Sequence, residues 1–258
     1  MPALTLEPQI QGAPDGPTLF FVQGWPDDAS LWDDFVVTLR DRYRCVRIAL
    51  PNSPGAPYRR WGFNHDEMVT ALADCVRRVS SGKALTLVAH DWGAFWSYRL
   101  HMRHPELVSR MVALDIGPVV KPNPREAALI AAYQWWLIAA FALGGPLGDA
   151  MTRGFARFGK APRQGAAIGA QLNYPYFYLW KEMLTGRSWR MSRYAPEVPC
   201  MMAYGAKKPA RFHTSGWLEY LRTKPANEVL EFANQGHWLM RDPELKLRVK
   251  EFLDRTNA

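Results

Sequence analysis

Ala84-Leu85-Thr86-Leu87-Val88-Ala89-His90-Asp91-Trp92-Gly93-Ala94 decides the fold. Six apolar or β-favouring residues in a row, with no polar alternation, describe a strand buried on both faces. The run ends at His90-Asp91-Trp92-Gly93, and helical spacing resumes through Trp96, Tyr98 and Leu100. A buried strand that breaks directly into a helix needs a tight corner, and the small residues flanking Asp91 allow one.

Working outward, Thr18–Val22 is a second apolar run, closed by the turn Gln23-Gly24-Trp25-Pro26. A helix is expected from Ser30, as N-cap, through Trp32, Phe35, Val36 and Leu39. Cys45–Leu50 is the next strand, and Met68, Leu72, Val76 and Val79 recur at helical spacing before Gly82. After the decisive strand, Met111–Leu114 leads to Asp115. Strand character returns at Pro199–Gly205 and Glu228–Phe232, with a closing helix over Leu245–Leu253. This alternation predicts an α/β fold with a mostly parallel central sheet covered by helices on both faces. Residues 118–195 break the alternation with helical, aromatic-rich sequence, so the expected organisation is a core of residues 1–117 and 196–258 with a helical cap at 118–195.

The chain has 258 residues, enough for one such core and a lid, and a net charge of +8. Its Lys and Arg are scattered, with no run of five, which predicts a solvated basic surface and no nucleic-acid partner. Cys45, Cys75 and Cys200 lack metal-ligand or redox spacing and are expected as reduced core residues of a cytoplasmic protein. No secretory signal is expected at Met1–Gly16. Ala127–Leu143 is almost wholly apolar, but Pro124-Arg125-Glu126 and Gly144-Gly145-Pro146 bound it, so it is read as a buried or interfacial helix over a pocket and not a transmembrane span.

Asp91 occupies the position of a nucleophile at the strand–helix corner. A hydroxyl or thiol there would attack acyl carbon; a carboxylate suits an sp³ carbon with an activated leaving group and becomes an ester itself. That ester needs water activated by a base, and His237, in Gly236-His237-Trp238, follows the last strand. An N-capping aspartate and a surface histidine are the bland alternatives. Their joint placement with the Gly24-Trp25-Pro26 turn favours the catalytic reading.

On these residues the chain, from about Thr18 onward, resembles the α/β-hydrolase superfamily, specifically its epoxide hydrolase and haloalkane dehalogenase branch, and most closely an epoxide hydrolase. The resemblance implies that Asp91 and His237 share a catalytic triad and that the backbone N–H groups of Trp25 and Trp92 form the oxyanion site. It also implies an acid in the loop after Tyr204-Gly205, but Ala206–His213 contains none, and Lys208 stands in that loop. Asp115, 24 residues beyond Asp91, is the candidate acid instead. Gln23 replaces the usual histidine at the head of the oxyanion loop.

Epoxide hydrolases draw proton donors from cap tyrosines, which points here to Tyr133 and Tyr176, with Tyr174 and Tyr178 as alternatives. A dehalogenase would pair the Trp92 indole with an Asn or a second Trp, and Trp25 holds that second position. The implied reaction is hydrolysis of an epoxide to a vicinal diol, with no metal or organic cofactor. A dehalogenase and a non-catalytic binding protein on the same scaffold are the other readings. Trp135, Trp136, Phe141 and Phe177 suggest a small hydrophobic substrate.

Overall fold

The computed structural model describes residues 3–163, 165–186 and 194–256. Seven strands form one sheet: β1 (Pro8–Gly12), β2 (Thr18–Val22), β3 (Arg44–Ile48), β4 (Leu85–His90), β5 (Val108–Leu114), β6 (Cys200–Gly205) and β7 (Glu228–Phe232). Their spatial order is β1-β3-β2-β4-β5-β6-β7. Every neighbouring pair is parallel except β1 with β3. β1 is an addition to the sequence reading. Its Pro-Gln-Ile-Gln-Gly is mostly exposed at the sheet edge, so it carries none of the hydrophobic signal that marks the central strands.

Period-two side-chain alternation distributes the central strands between two cores. Phe20, Val22, Leu87, Ala89, Met111 and Ala113 face one side, where they meet helices α2 (His65–Ser80) and α3 (Trp92–Arg103). Leu19, Phe21, Val88, Val112 and Leu114 face the other, against α1 (Asp33–Leu39) and the closing helix, Pro243–Arg255. β4 is buried along its whole length. Each fully buried Leu, Val or Phe contributes roughly 1.5–3 kcal/mol, an upper figure because unfolded chains already bury part of their surface. This burial fixes the register that carries Asp91 to the carboxyl end of the sheet.

Helix starts follow local chemistry. Asn64 and Glu67 form a capping box on α2. The first helix is preceded by a 3₁₀ turn at Ala29–Trp32, and its cap is Asp28, which accepts from Ser30 N; the expected cap at Ser30 is therefore displaced by two residues. Asp28 wins because its carboxylate reaches the free N–H groups of the turn.

Between β5 and β6 the chain leaves the sheet, and its described residues form the helices α4 (Pro124–Leu143), α5 (Gly145–Phe158) and α6 (Tyr174–Leu184). Asn123 and Glu126 box the start of α4, with Pro124 in its first turn. Residues 164 and 187–193 of the expected cap lie outside the described residues. After β6 comes α7 (Ser215–Arg222), absent from the sequence reading, and the last helix is α8 (Pro243–Arg255). Cys45, Cys75 and Cys200 are buried and free.

Candidate active site

Asp91 lies between β4 and α3 with φ 53° and ψ −127°, a conformation costly for a residue with a side chain and held only when its surroundings over-determine it. The surroundings are tight. A Cβ at Gly93 would collide with the carbonyl oxygens of Val22 and Gln23, and one at Gly24 with the Asp91 carboxylate and Trp92 N. Glycine is required at both positions so that the β2 loop and the β4–α3 corner can touch. Asp91 makes no side-chain cap bond to α3, so its carboxylate is not spent on capping.

Backbone N–H groups hold that carboxylate instead. Trp25 N donates to Asp91 Oδ2 at 2.7 Å, and the Trp92 amide beside it favours the ionised carboxylate. The two sequence-derived oxyanion donors thus converge on Asp91. Burial pushes the Asp91 carboxyl up from its ordinary range, against the nearby His237 and these two amides.

His237 Nε2 lies 3.7 Å from Asp91 Oδ1, and its Nδ1 donates to Asp115 Oδ2 at 2.6 Å. Asp115 ends β5 at a positive φ of 68° and is fully buried. Its other oxygen accepts from Lys208 Nζ and, at 3.3 Å, from Gly205 N. Burial opposes ionisation of Asp115, but the His237 hydrogen bond and the Lys208 charge outweigh it and hold the carboxyl at about 2. Burial likewise opposes the His237 imidazolium; the hydrogen bond and charge of Asp115, with Asp91 behind them, raise its pKa overall. His90, buried beneath, donates from Nε2 to the His237 carbonyl at 3.0 Å and stays neutral through desolvation.

Side chains from the helical insertion approach from above. The ring of Tyr176 stands perpendicular to Trp92 at 5.0 Å, and Tyr133 lies 6.1 Å from Tyr176 and stacks on Phe155. Burial raises both phenols, and the negative charge of Asp91 raises them further. Tyr174 is turned away, its hydroxyl on Met68 Sδ at 3.6 Å, and Tyr178 responds to Arg59 and Glu67. Asp91, His237, Asp115, Trp25, Trp92, Tyr133 and Tyr176 therefore form one cluster, and Tyr174 and Tyr178 stand outside it.

Three further residues complete the arrangement. Asn173 Oδ1 accepts from the Trp25 indole at 2.7 Å, and Asn173 Nδ2 donates to Leu137 O and Thr152 Oγ1. Lys208 pins Asp115. Asp27 accepts from the Trp238 indole at 2.8 Å, and burial pushes its carboxyl up to about 7. Lys208 left a trace in the sequence as a cation in an acid-free loop. Asn173, 148 residues from Trp25, left none. Gln23 donates from Nε2 to Ile48 O at 2.9 Å and ties the head of the oxyanion loop to β3.

A model of the alpha/beta hydrolase fold family matches residues 17–208. This chain belongs to that family. Among the relatives of the α/β-hydrolase chain, a cis-3-alkyl-4-alkyloxetan-2-one decarboxylase of Xanthomonas campestris is 23% identical over 98% of this chain and 94% of that protein. Epoxide hydrolase 1 of Caenorhabditis elegans is 28% identical over 107 residues, which are 41% of this chain and 26% of that one. The chain spans only about a quarter of the nematode enzyme. Among solved structures, the Bacillus megaterium epoxide hydrolase superposes with a TM-score of 0.72 at 17% identity, covering 96% of each chain. A haloalkane dehalogenase variant from Bradyrhizobium elkanii gives 0.71, also at 17% identity, covering 98% of this chain and 94% of that one. At these identities the structural likeness speaks for the α/β-hydrolase fold alone.

Proposed function

We propose that the protein is an epoxide hydrolase that works through a covalent ester on Asp91. Asp91 attacks a ring carbon, the carbon–oxygen bond breaks, and the departing oxygen takes a proton from Tyr133 or Tyr176. Water then attacks the ester carbonyl as His237 Nε2 removes its proton, Asp115 stabilising the imidazolium. The oxyanion forms on the Asp91 side chain, where Trp25 N and Trp92 N donate, and it collapses to release a vicinal diol.

The observation that carries this reading is the division of donors around Asp91. Two phenols from the insertion gather beside the Asp91 corner, Tyr176 edge-on to Trp92 and Tyr133 edge-on to Tyr176, while the Trp25 indole is tied to Asn173 and so is withdrawn from the role of halide donor. O–H donors suit a departing alkoxide, which needs a proton; a halide needs only polarised N–H groups. The exposed hydrolase test is product analysis with aryl and alkyl epoxides and matched haloalkanes. Diol formation supports the reading, and halide release without diol refutes it.

A second reading rests on the relative aligned over nearly the whole chain, whose name specifies a four-membered lactone. Carboxylate attack at the sp³ ring carbon of such a lactone frees a carboxylate, which can leave as CO₂ while expelling Asp91 and forming an alkene. No phenol proton is required for that leaving group. Carbon dioxide and alkene in place of diol would select this chemistry.

A further inference from the structure

Helix α4 is apolar on the side that faces away from the protein. Its inward face carries Gln134, Leu137, Ile138, Ala140 and Phe141. Its outward face should then be polar, as in an ordinary amphipathic surface helix. Instead Ala128, Leu129, Ala132, Trp135, Trp136, Ala139, Ala142 and Leu143 are exposed, at spacings of three and four along 20 residues. Only 28% of its most apolar 18-residue window is buried, so the composition is not that of a core helix hidden by packing. Trp135 and Trp136, which the sequence reading counted among the cap aromatics suggesting a hydrophobic substrate, are 46% and 49% exposed.

The patch extends beyond α4. Trp135 packs on Trp180 of α6 at 5.0 Å, and Trp136 donates from Nε1 to Met151 O of α5 at 3.2 Å, so neighbouring helices hold both indoles in place. On the neighbouring helices Leu147, Phe158 and Leu184 are also exposed, at 63%, 82% and 74%. Exposed basic residues stand within four positions of these apolar ones: Arg125 by Leu129, Arg157 and Lys160 by Phe158, and Lys181 by Leu184.

Charge identifies the occupant. Among the described residues of 118–195, seven Lys and Arg stand against three Asp and Glu, and one of the seven, Arg163, pairs with Asp28. The three acids are turned to structural use: Glu126 accepts from Asn123 N, Asp149 from Ala170 N, and Glu182 pairs with the buried Arg99. The outer surface is left apolar, indole-rich and cationic.

We propose that this face docks the protein on an anionic phospholipid bilayer, with the α4 stripe lying in the plane of the interface. Tryptophan settles at the headgroup level, leucine and phenylalanine enter the acyl boundary, and lysine and arginine bind lipid phosphates. A uniform cation surplus disfavours a second copy of the same face, which would bring like charge together.

The test is flotation of the full chain with vesicles of phosphatidylglycerol and phosphatidylcholine, compared with phosphatidylcholine alone. Docking predicts association with the anionic vesicles, a blue shift of tryptophan emission, and release at about 0.5 M salt as charges are screened. The double variant Trp135→Gln/Leu143→Gln, and separately Arg157→Glu/Lys160→Glu, should each lower the bound fraction by about tenfold or more while keeping the wild-type circular dichroism. No association with anionic vesicles overturns the proposal, as does undiminished binding by both variants. Sedimentation showing a dimer that Trp135→Gln/Leu143→Gln converts to monomer also overturns it, because the face would then be covered by a second copy.

Discussion

Lys208 and Asp115 form a buried ion pair in which the lysine ammonium donates to Oδ1 while Oδ2 receives the His237 imidazole. Lysine here occupies the loop where the resemblance implies an acid. The charge logic of the site is therefore crossed over between neighbouring strand ends: β5 supplies the carboxylate and the β6 loop supplies its counter-charge. Burying either alone would be costly, since an unpaired charge in a protein interior loses its hydration without compensation. Together they fix the one carboxylate oxygen that orients His237.

Replacing Lys208 by Met strands the Asp115 charge. We expect a loss of about 3–5 kcal/mol in stability, the usual consequence of removing one partner of a buried pair. The double variant Lys208→Met/Asp115→Asn should lose less than the sum of the single variants, because it removes the stranded charge. Denaturant unfolding of the four proteins measures this coupling, and strict additivity would show that the pair is energetically irrelevant.

The same two positions should move the pH profile in opposite directions. Water activation needs neutral His237, so turnover falls as pH drops through its pKa. Asp115 raises that pKa and Lys208 lowers it. Asp115→Asn should shift the acid limb to lower pH while cutting the rate by roughly 10²–10⁴, whereas Lys208→Met should shift it to higher pH. Measured profiles that move together would contradict the arrangement.

Asp27 provides a stability test that does not depend on turnover. Its folded-state pKa lies at about 7 against an ordinary 3.8, so the folded protein holds a proton that the unfolded chain has released. Stability is therefore lost as pH rises from about 4 to 7 and stays lower above that. Asp27→Asn, which can still accept from the Trp238 indole, should raise stability at pH 8 by up to about 4 kcal/mol and by little at pH 4. Thermal melts at both pH values decide it; an equal change at each would mean Asp27 is ionised in the folded protein.

Tyr133→Phe and Tyr176→Phe separate the leaving groups. If the phenols protonate an alkoxide, each variant should slow ester formation from an epoxide by about 10²-fold or more, and the double variant should nearly abolish it. A β-lactone or haloalkane should react with undiminished rate, since neither leaving group takes a proton. Stopped-flow quenching of tryptophan emission follows the ester directly.

The central strands and Asp91 were legible because their signals are local. Val22, Leu87 and Val112 sit in short apolar runs, and the corner at Asp91 follows a run with no polar break. β1 and α7 were not, because one is an exposed polar edge and the other a short amphipathic turn. At the site, Asp115 is nominated by the acid-free loop at Ala206–His213 together with the resemblance to family members that place the acid 24 residues after the nucleophile. Lys208 was visible as an oddity, but its meaning depends on β5 lying beside β6, a relation of strand order and not of sequence. The Asn173 contact to Trp25 and the exposure of Trp135 and Trp136 depend on how α4, α5 and α6 fold over the sheet, which no local pattern encodes.

Mass spectrometry of His237→Gln protein, incubated with an epoxide and digested, tests the central claim most directly. Attack and water activation fall to different residues, so the ester should form and persist, and a hydroxyalkyl adduct should map to the peptide containing Asp91 and vanish in Asp91→Asn. An unmodified Asp91 peptide, with diol still appearing at the wild-type rate, would contradict a covalent mechanism at this residue.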